Sequence, residues 1–179
     1  MEMRGGVGYV EEWVNPRLVR DAHLGSIWEG AGNVVAIDVI GRAVGRHSCH
    51  EPFVAAIAAK LNEATEVPAG HRKALSDALE RAGQLAGTVA ANPETEIESR
   101  HATTMLYHAA TAALMSWEGA QISAQRGDAR RLLWSKLILD HKLKPRDPFE
   151  RSDTASEARI ASMLLRKDAV PLSQLAELL

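Results

Sequence analysis

The sequence predicts an all-α protein, an antiparallel helical bundle with a helical tail. Three observations carry this. Alanine and leucine abound while aromatics make up only 4% of 179 residues, a balance that favours helix over sheet. Apolar residues recur at three-and-four spacing from residue 33 onward. Between those runs sit capping residues and prolines where helices start and stop.

Residues 1 to 32 stand apart, with six of the 13 glycines and two of the four tryptophans. They read as loop and short helix, with a helical turn expected from Pro16 to Ala22. Asn33 is placed to cap a helix carrying Val34, Val35, Ile37 and Val39 towards His47, weakened near its end by Gly41 and Gly45. Ser48 and Glu51 have the spacing of a capping box, with Pro52 in the first turn. The helix after them is expected to bury Phe53, Ile57 and Leu61, and "VPAG" ends it.

Leu75, Leu79, Ala82, Ala86 and Val89 then mark one face of a further helix. "NPETE" offers a cap, a proline and first-turn acids, which suit a helix N-terminus. The helix it opens runs to about Arg126. Its stripes are Ile97, Met105, His108, Met115 and Ile122 on one side, and Leu106, Ala109, Ala113 and Trp117 on the other. Apolar residues on two faces predict a central bundle helix. Asp128 is placed to cap a helix through Leu132, Leu133, Leu137 and Leu143, and "KPRDPFERSD" is a linker. Thr154 and Glu157 read as a second capping box, ahead of Ile160, Met163 and Leu164. "PLSQLAELL" reads as a last short helix. Three parts follow: segment 1–32, bundle 33–146 and tail 147–179.

Composition narrows the function. The net charge of −2 draws neither nucleic acid nor an anionic membrane to the chain as a whole. Cys49 is the single cysteine, so no internal disulfide framework exists, which suits a reducing compartment. No apolar run approaches the roughly 18 residues of a membrane span, and no signal-peptide pattern opens the chain. The expected setting is cytoplasmic, without membrane contact.

Several tempting features have ordinary readings. His47, Cys49, His50 and Glu51 suggest a metal, but Glu51 already belongs to the capping pattern and the spacing suits a shared ion poorly, so no metal site is expected. His101 and His108 lie seven apart on one helix face, as core or interface histidines do. Between Arg126 and Asp147, seven basic side chains face three acids. Such a run is usually a solvated face, and Trp134 is its only aromatic, which argues against stacking on single strands.

The N-terminal segment is the informative part. "EMRGGVGYVEEW" followed by "RLVRDAHLGSIWEGAGNVVAIDV" resembles the C-terminal domain of flavin-dependent acyl-CoA dehydrogenases. Within that family it is most similar to the branch holding the bacterial alkylation-response flavoprotein. The resemblance rests on Gly5-Gly6-x-Gly8-Tyr9, on Arg20-Asp21, and on Trp28-Glu29-Gly30 ending at Asn33, and it covers residues 2 to 42.

The resemblance implies a role for each matched residue. Glu29 takes the position of the base that removes the α-proton of an acyl-CoA thioester, while FAD accepts the β-hydride. Trp28 would wall the substrate from water. Gly5 and Gly6 would admit the flavin pyrophosphate, Gly30 would let the backbone approach a ligand, and Asn33 would reach the cofactor. Ala31 and Glu2 depart from the pattern, standing where the family prefers a hydroxyl residue and a glutamine. Family members also carry a helical domain and a β-domain ahead of this segment. The 179 residues alone are therefore expected neither to retain FAD nor to act on acyl-CoA.

The expected partners are a second copy, through apolar faces such as Leu106, Ala113 and Trp117, or the family's other domains. The alternative reading is a non-catalytic helical dimerisation or interaction module. DNA association within the resembled branch keeps nucleic acid as a minority partner.

Overall fold

Small residues decide how closely the helices of this chain approach one another. The computed structural model describes residues 1–28, 30–145, 147, 149, 151 and 153–179. The fold is an all-α bundle, 74% helix with no strand among the described residues. The helices are α1 (Gly6–Tyr9), α2 (Asn15–Leu24), α3 (Gly32–Asp38), α4 (His50–Glu63), α5 (Ala69–Ala91), α6 (Ser99–Arg126), α7 (Arg130–Ile138) and α8 (Thr154–Leu164). Wider π turns extend α3 over Val39–Val44 and α7 over Leu139–Leu143.

Helix α6 is central, as its two apolar faces predict. It packs along α5 and α7 and against α3 and α4. Alanines 102, 109, 110, 112, 113 and 120 are all buried on it, so neighbouring backbones come close. Gly119 is required at the α7 crossing, because a Cβ there would lie 2.8 Å from Leu132 Cδ2. The α5 stripe of Leu75, Leu79, Ala82, Ala86 and Val89 is buried throughout and meets Ile57, Leu61 and Leu106 in the main core. A second cluster joins the α6–α7 corner to the tail through Leu132, Leu133, Ile160, Val170 and Leu175.

Several local expectations need correction. Asn33 does not cap α3. Ala31 is the cap residue, and Asn33 accepts a hydrogen bond from Arg100 of α6 instead. Ser48 makes no capping box, because it stands at φ 49° and closes the preceding helix through its own N–H to the Val44 carbonyl. Cys49 takes the cap position of α4 without a side-chain bond. Phe53 is exposed, unlike Ile57 and Leu61. Ile97 is exposed too, on a 3₁₀ turn (Pro93–Glu98) ahead of α6 that Asn92 caps at Glu94 N–H.

Asp153, not Thr154, caps α8, where its carboxylate accepts the Ser156 N–H. The last segment forms only a 3₁₀ turn, Leu172–Gln174. The apolar face expected to seek a second copy is covered by the chain itself. Leu106 and Ala113 are 9% and 1% exposed, and Trp117 is half-buried, donating to Glu63 beneath the Lys60 ammonium.

Asp128 sits one residue before the cap of α7 and does more than end a helix. Its carboxylate accepts from the Arg130 backbone N–H, the Arg130 guanidinium and the Val170 N–H. Arg130 in turn donates to the Arg166 carbonyl, and Ala129 N–H to that of Val170. These bonds strap the tail to the bundle, and they hold the Asp128 carboxyl down at about 2, with Arg130 the main cause. Asp128→Ala is expected to cost about 2 kcal/mol, because charge-assisted bonds are lost and the Val170 N–H is left unpaired. Urea unfolding and amide exchange at Val170 check this. Unchanged protection of that amide would contradict the strap.

Candidate functional site

The segment before the bundle folds mainly on itself. Gly5 adopts φ 56° at the junction between a 3₁₀ turn (Glu2–Arg4) and α1, a conformation glycine takes without steric cost. Gly8 is needed for packing, since a Cβ would strike the Met1 carbonyl. Gly5 and Gly6 have open space where a side chain would stand. Arg20 holds Glu11 through two hydrogen bonds, tying α2 back to the loop after α1. Asn15 also donates to the Val7 carbonyl.

The chain then turns into α3 and forms one wall of an open cleft of about 1070 Å³. Trp28, Gly30, Gly32 and Asn33 line it from that side, and Arg100 and Thr103 line it from α6. Gly30 stands at φ 114°, which an L side chain rarely adopts, so the backbone there is bare by necessity. Trp28 is 69% exposed. Glu29 lies outside the described residues. Three of the sequence-predicted positions thus share one cleft, while Gly5 and Gly6 are not among its lining residues.

Arg100 and Thr103 were not legible in the sequence. They lie some 70 residues downstream, and only the packing of α3 on α6 brings them in. Arg100 donates to the Asn33 side chain at 2.8 Å and so fixes its amide. The Thr103 hydroxyl is buried without a hydrogen-bond partner. A polar atom left unpaired costs free energy unless something else satisfies it. The cleft offers the Arg100 guanidinium, bare glycine backbone and an indole face, together with the Asp38 carboxylate, which Arg42 holds. That set suits a polar, partly aromatic ligand such as a flavin nucleotide, with Arg100 as the cation for an anionic group.

Other candidates resolve differently. His50 packs on Gly87 with its Nδ1 buried and unpartnered, and Cys49 is exposed. Among the described residues, no three His, Cys, Asp or Glu side chains cluster as metal ligands would. His108 is held below its ordinary value by burial and then by Lys142, and His101 lines a separate cleft. Four of the seven basic side chains of the run pair with three carboxylates. Arg130 pairs with Asp128, Arg131 with Glu118, and Lys136 and Lys144 share Asp140. Arg146 lies outside the described residues. Among those residues, no helix is long and apolar enough to cross a membrane.

Comparison with known proteins bears on the same segment. Residues 1–45 match the family model described as acyl-CoA dehydrogenase, C-terminal domain. The Escherichia coli (strain K12) protein named "Putative acyl-CoA dehydrogenase AidB" is 52% identical over 40 residues, which is 22% of this chain and 7% of that protein. "Acyl-CoA dehydrogenase family member 11" of Caenorhabditis elegans is 48% identical over 40 residues, or 22% of this chain and 6% of its own length. The likeness to the Escherichia coli protein agrees with the alkylation-response branch. No solved structure matches the chain.

Proposed function

We propose that this chain supplies the C-terminal helical wall of an acyl-CoA dehydrogenase-type oxidoreductase, completed by further flavin-covering domains. The observation that carries the proposal is the 52% identity over the N-terminal 40 residues, the stretch that holds Trp28, Glu29, Gly30 and Asn33. FAD, when bound, supplies the acceptor for the β-hydride of an acyl-CoA thioester. Glu29 takes the α-proton onto its carboxylate. Its basicity rises when apolar surroundings replace water, so the base position needs an enclosed chamber. Trp28 forms one wall of that chamber, and another surface must close the rest.

Gly5 and Gly6 would admit phosphate oxygens to backbone N–H groups, Gly30 would let a ligand approach the chain, and Asn33 would bond the cofactor from the amide orientation that Arg100 sets. In this reading residues 1–32 are the flavin- and substrate-facing part, 33–146 the supporting bundle and 147–179 the tail. The setting would be the cytoplasm.

The segment's exposed apolar residues support the need for a partner surface. Trp13, Leu18, Ile27, Trp28 and Val34 are all exposed within one short stretch, and such a concentration of exposed apolar side chains favours an interaction site. Further flavin-covering domains or a second copy of the chain would cover it. The same surface also favours the non-catalytic reading, an interaction module, and the two readings differ on flavin.

The isolated 179 residues are expected to purify colourless and to leave an added acyl-CoA unchanged. A few backbone contacts in an open cleft give weak affinity once ordering costs are met. An absorbance scan followed by FAD titration checks this. A stoichiometric flavin band that bleaches with an acyl-CoA would show that the chain needs no completing surface.

A further inference from the structure

A second cleft lies in the bundle itself, outside the stretch that matches known relatives. It measures about 370 Å³ and is bounded by α5, α6 and the end of the π turn that follows α7. Its floor is apolar: Ala78, Ala82 and Leu85 of α5, Met105 of α6, and Leu143. The alanines leave room that leucines elsewhere on α5 fill, and Met105 can adapt its shape to an occupant. At the rim stand Arg81, His101 and Lys144, with no carboxylate among the lining residues.

Charge and backbone both single this place out. Arg81 makes no hydrogen bond or ion pair among the described residues. Lys144 and Lys136 share the one carboxylate of Asp140. Three cations (Arg81, Lys136, Lys144) against one acid leave a local charge of +2. The π turn places two of the lining residues, because Lys144 N–H bonds the Leu139 carbonyl five residues back at 2.9 Å, bringing Leu143 and Lys144 to the cleft. Turns of this width recur at functional sites. The volume lies in the range of small-molecule pockets. On α6, His101 and Met105 face this cleft, while Arg100 and Thr103 face the other.

We propose that this cleft binds a small amphiphilic anion, a short alkyl chain bearing a carboxylate or phosphate head. The chain would lie on the alanine floor. The head would take the Arg81 guanidinium, whose fork matches either oxyanion, with Lys144 beside it. The site draws nothing from Glu29 or its cleft, so it stands or falls separately from the flavin reading.

Calorimetric titration of the full chain with octanoate, octyl phosphate and octanol tests it. Saturable binding of one octanoate or octyl phosphate per chain is expected, with octanol at least tenfold weaker. The tighter of the two anions identifies the head group. Arg81→Glu, a change at an exposed position, should weaken the anion at least tenfold without altering thermal unfolding. Ala78→Leu, which fills the floor, should weaken octanoate to a similar degree. Absence of saturable binding by both anions, octanol binding as tight as octanoate, or both variants binding as the parent does would each overturn the proposal.

Discussion

Replacement of Glu29 by Gln is expected to abolish α-proton exchange in the assembled, flavin-loaded enzyme while leaving the flavin in place. The amide has nearly the shape of the acid but cannot accept the proton, so the chemical step loses its base and binding keeps its contacts. General-base catalysis contributes of the order of 10² to 10⁴-fold, and a fall of about a thousandfold in flavin reduction by acyl-CoA follows. Exchange of the substrate α-hydrogen with deuterated solvent reads the same step without the hydride transfer. A variant that reduces its flavin at the parental rate would remove Glu29 from the base position. One that loses the flavin as well would assign it to cofactor binding instead.

The largest expected effect on stability concerns His71. This histidine lies on α5 with only 2% of its surface exposed, and its Nε2 is 3.1 Å from Ser135 Oγ on α7. Ser135 spends its own proton on the Ala112 carbonyl, at 2.8 Å. The network therefore assigns the imidazole proton to Nε2, which donates to Ser135, and leaves the ring neutral. Burial, with Lys136 and Lys144 adding to it and Asp140 opposing, lowers His71 from the ordinary 6.5 to about 4.

The sign follows from linkage. Above about pH 6.5 the ring is neutral in both folded and unfolded chains, and the stability is complete. As pH falls from there towards 4, the unfolded chain takes up a proton that the folded one refuses, and about 3 kcal/mol is lost. Urea unfolding at pH 7 and at pH 4.5 should show most of this loss, roughly 2.4 kcal/mol. His71→Leu should flatten the profile across that window, because leucine fills the site and cannot be protonated. An unchanged slope in the variant would assign the acid sensitivity to other groups.

Burial patterns were more legible in the sequence than helix ends were. The α5 stripe was readable because five buried positions repeat at helical spacing, and that repeat is a property of the element alone. The central place of α6 was readable for the same reason. Caps failed where a neighbour had a competing use for the residue. Ser48 is drawn into ending the preceding helix, Asn33 is drawn across to Arg100, and Thr154 yields to the carboxylate one position earlier. Phe53 shows that an apolar residue at helical spacing can still face solvent, because its neighbours His50 and Val54 are the ones that meet Gly87 and Gly83 of α5.

The candidate site divides in the same way. Trp28, Gly30 and Asn33 are close in sequence and carry a motif, so they could be named in advance. Arg100 and Thr103 could not, because nothing local distinguishes them on an amphipathic helix, and only the packing of α3 brings them to the cleft. The dimer face expected from Leu106 and Ala113 failed because α4 and α5 already cover it. Most of the exposed large apolar residues belong to the N-terminal segment, where short helices leave tryptophans and leucines without a layer to pack against.

If residues 1–32, with Asn33 beside them, form the flavin- and substrate-facing wall of an acyl-CoA dehydrogenase-type site, the stretch 1–45 that matches the family model should carry that role into a relative. A graft tests it most directly. The stretch of the Escherichia coli relative that aligns with this segment is replaced by residues 1–45 of this chain, and flavin is measured in the purified chimera by absorbance. The chimera is expected to hold a flavin content close to that of the parent, which falls when Gly5 and Gly6 of the graft are both changed to valine and persists in the Glu29→Gln graft. A folded chimera that carries no flavin would contradict it.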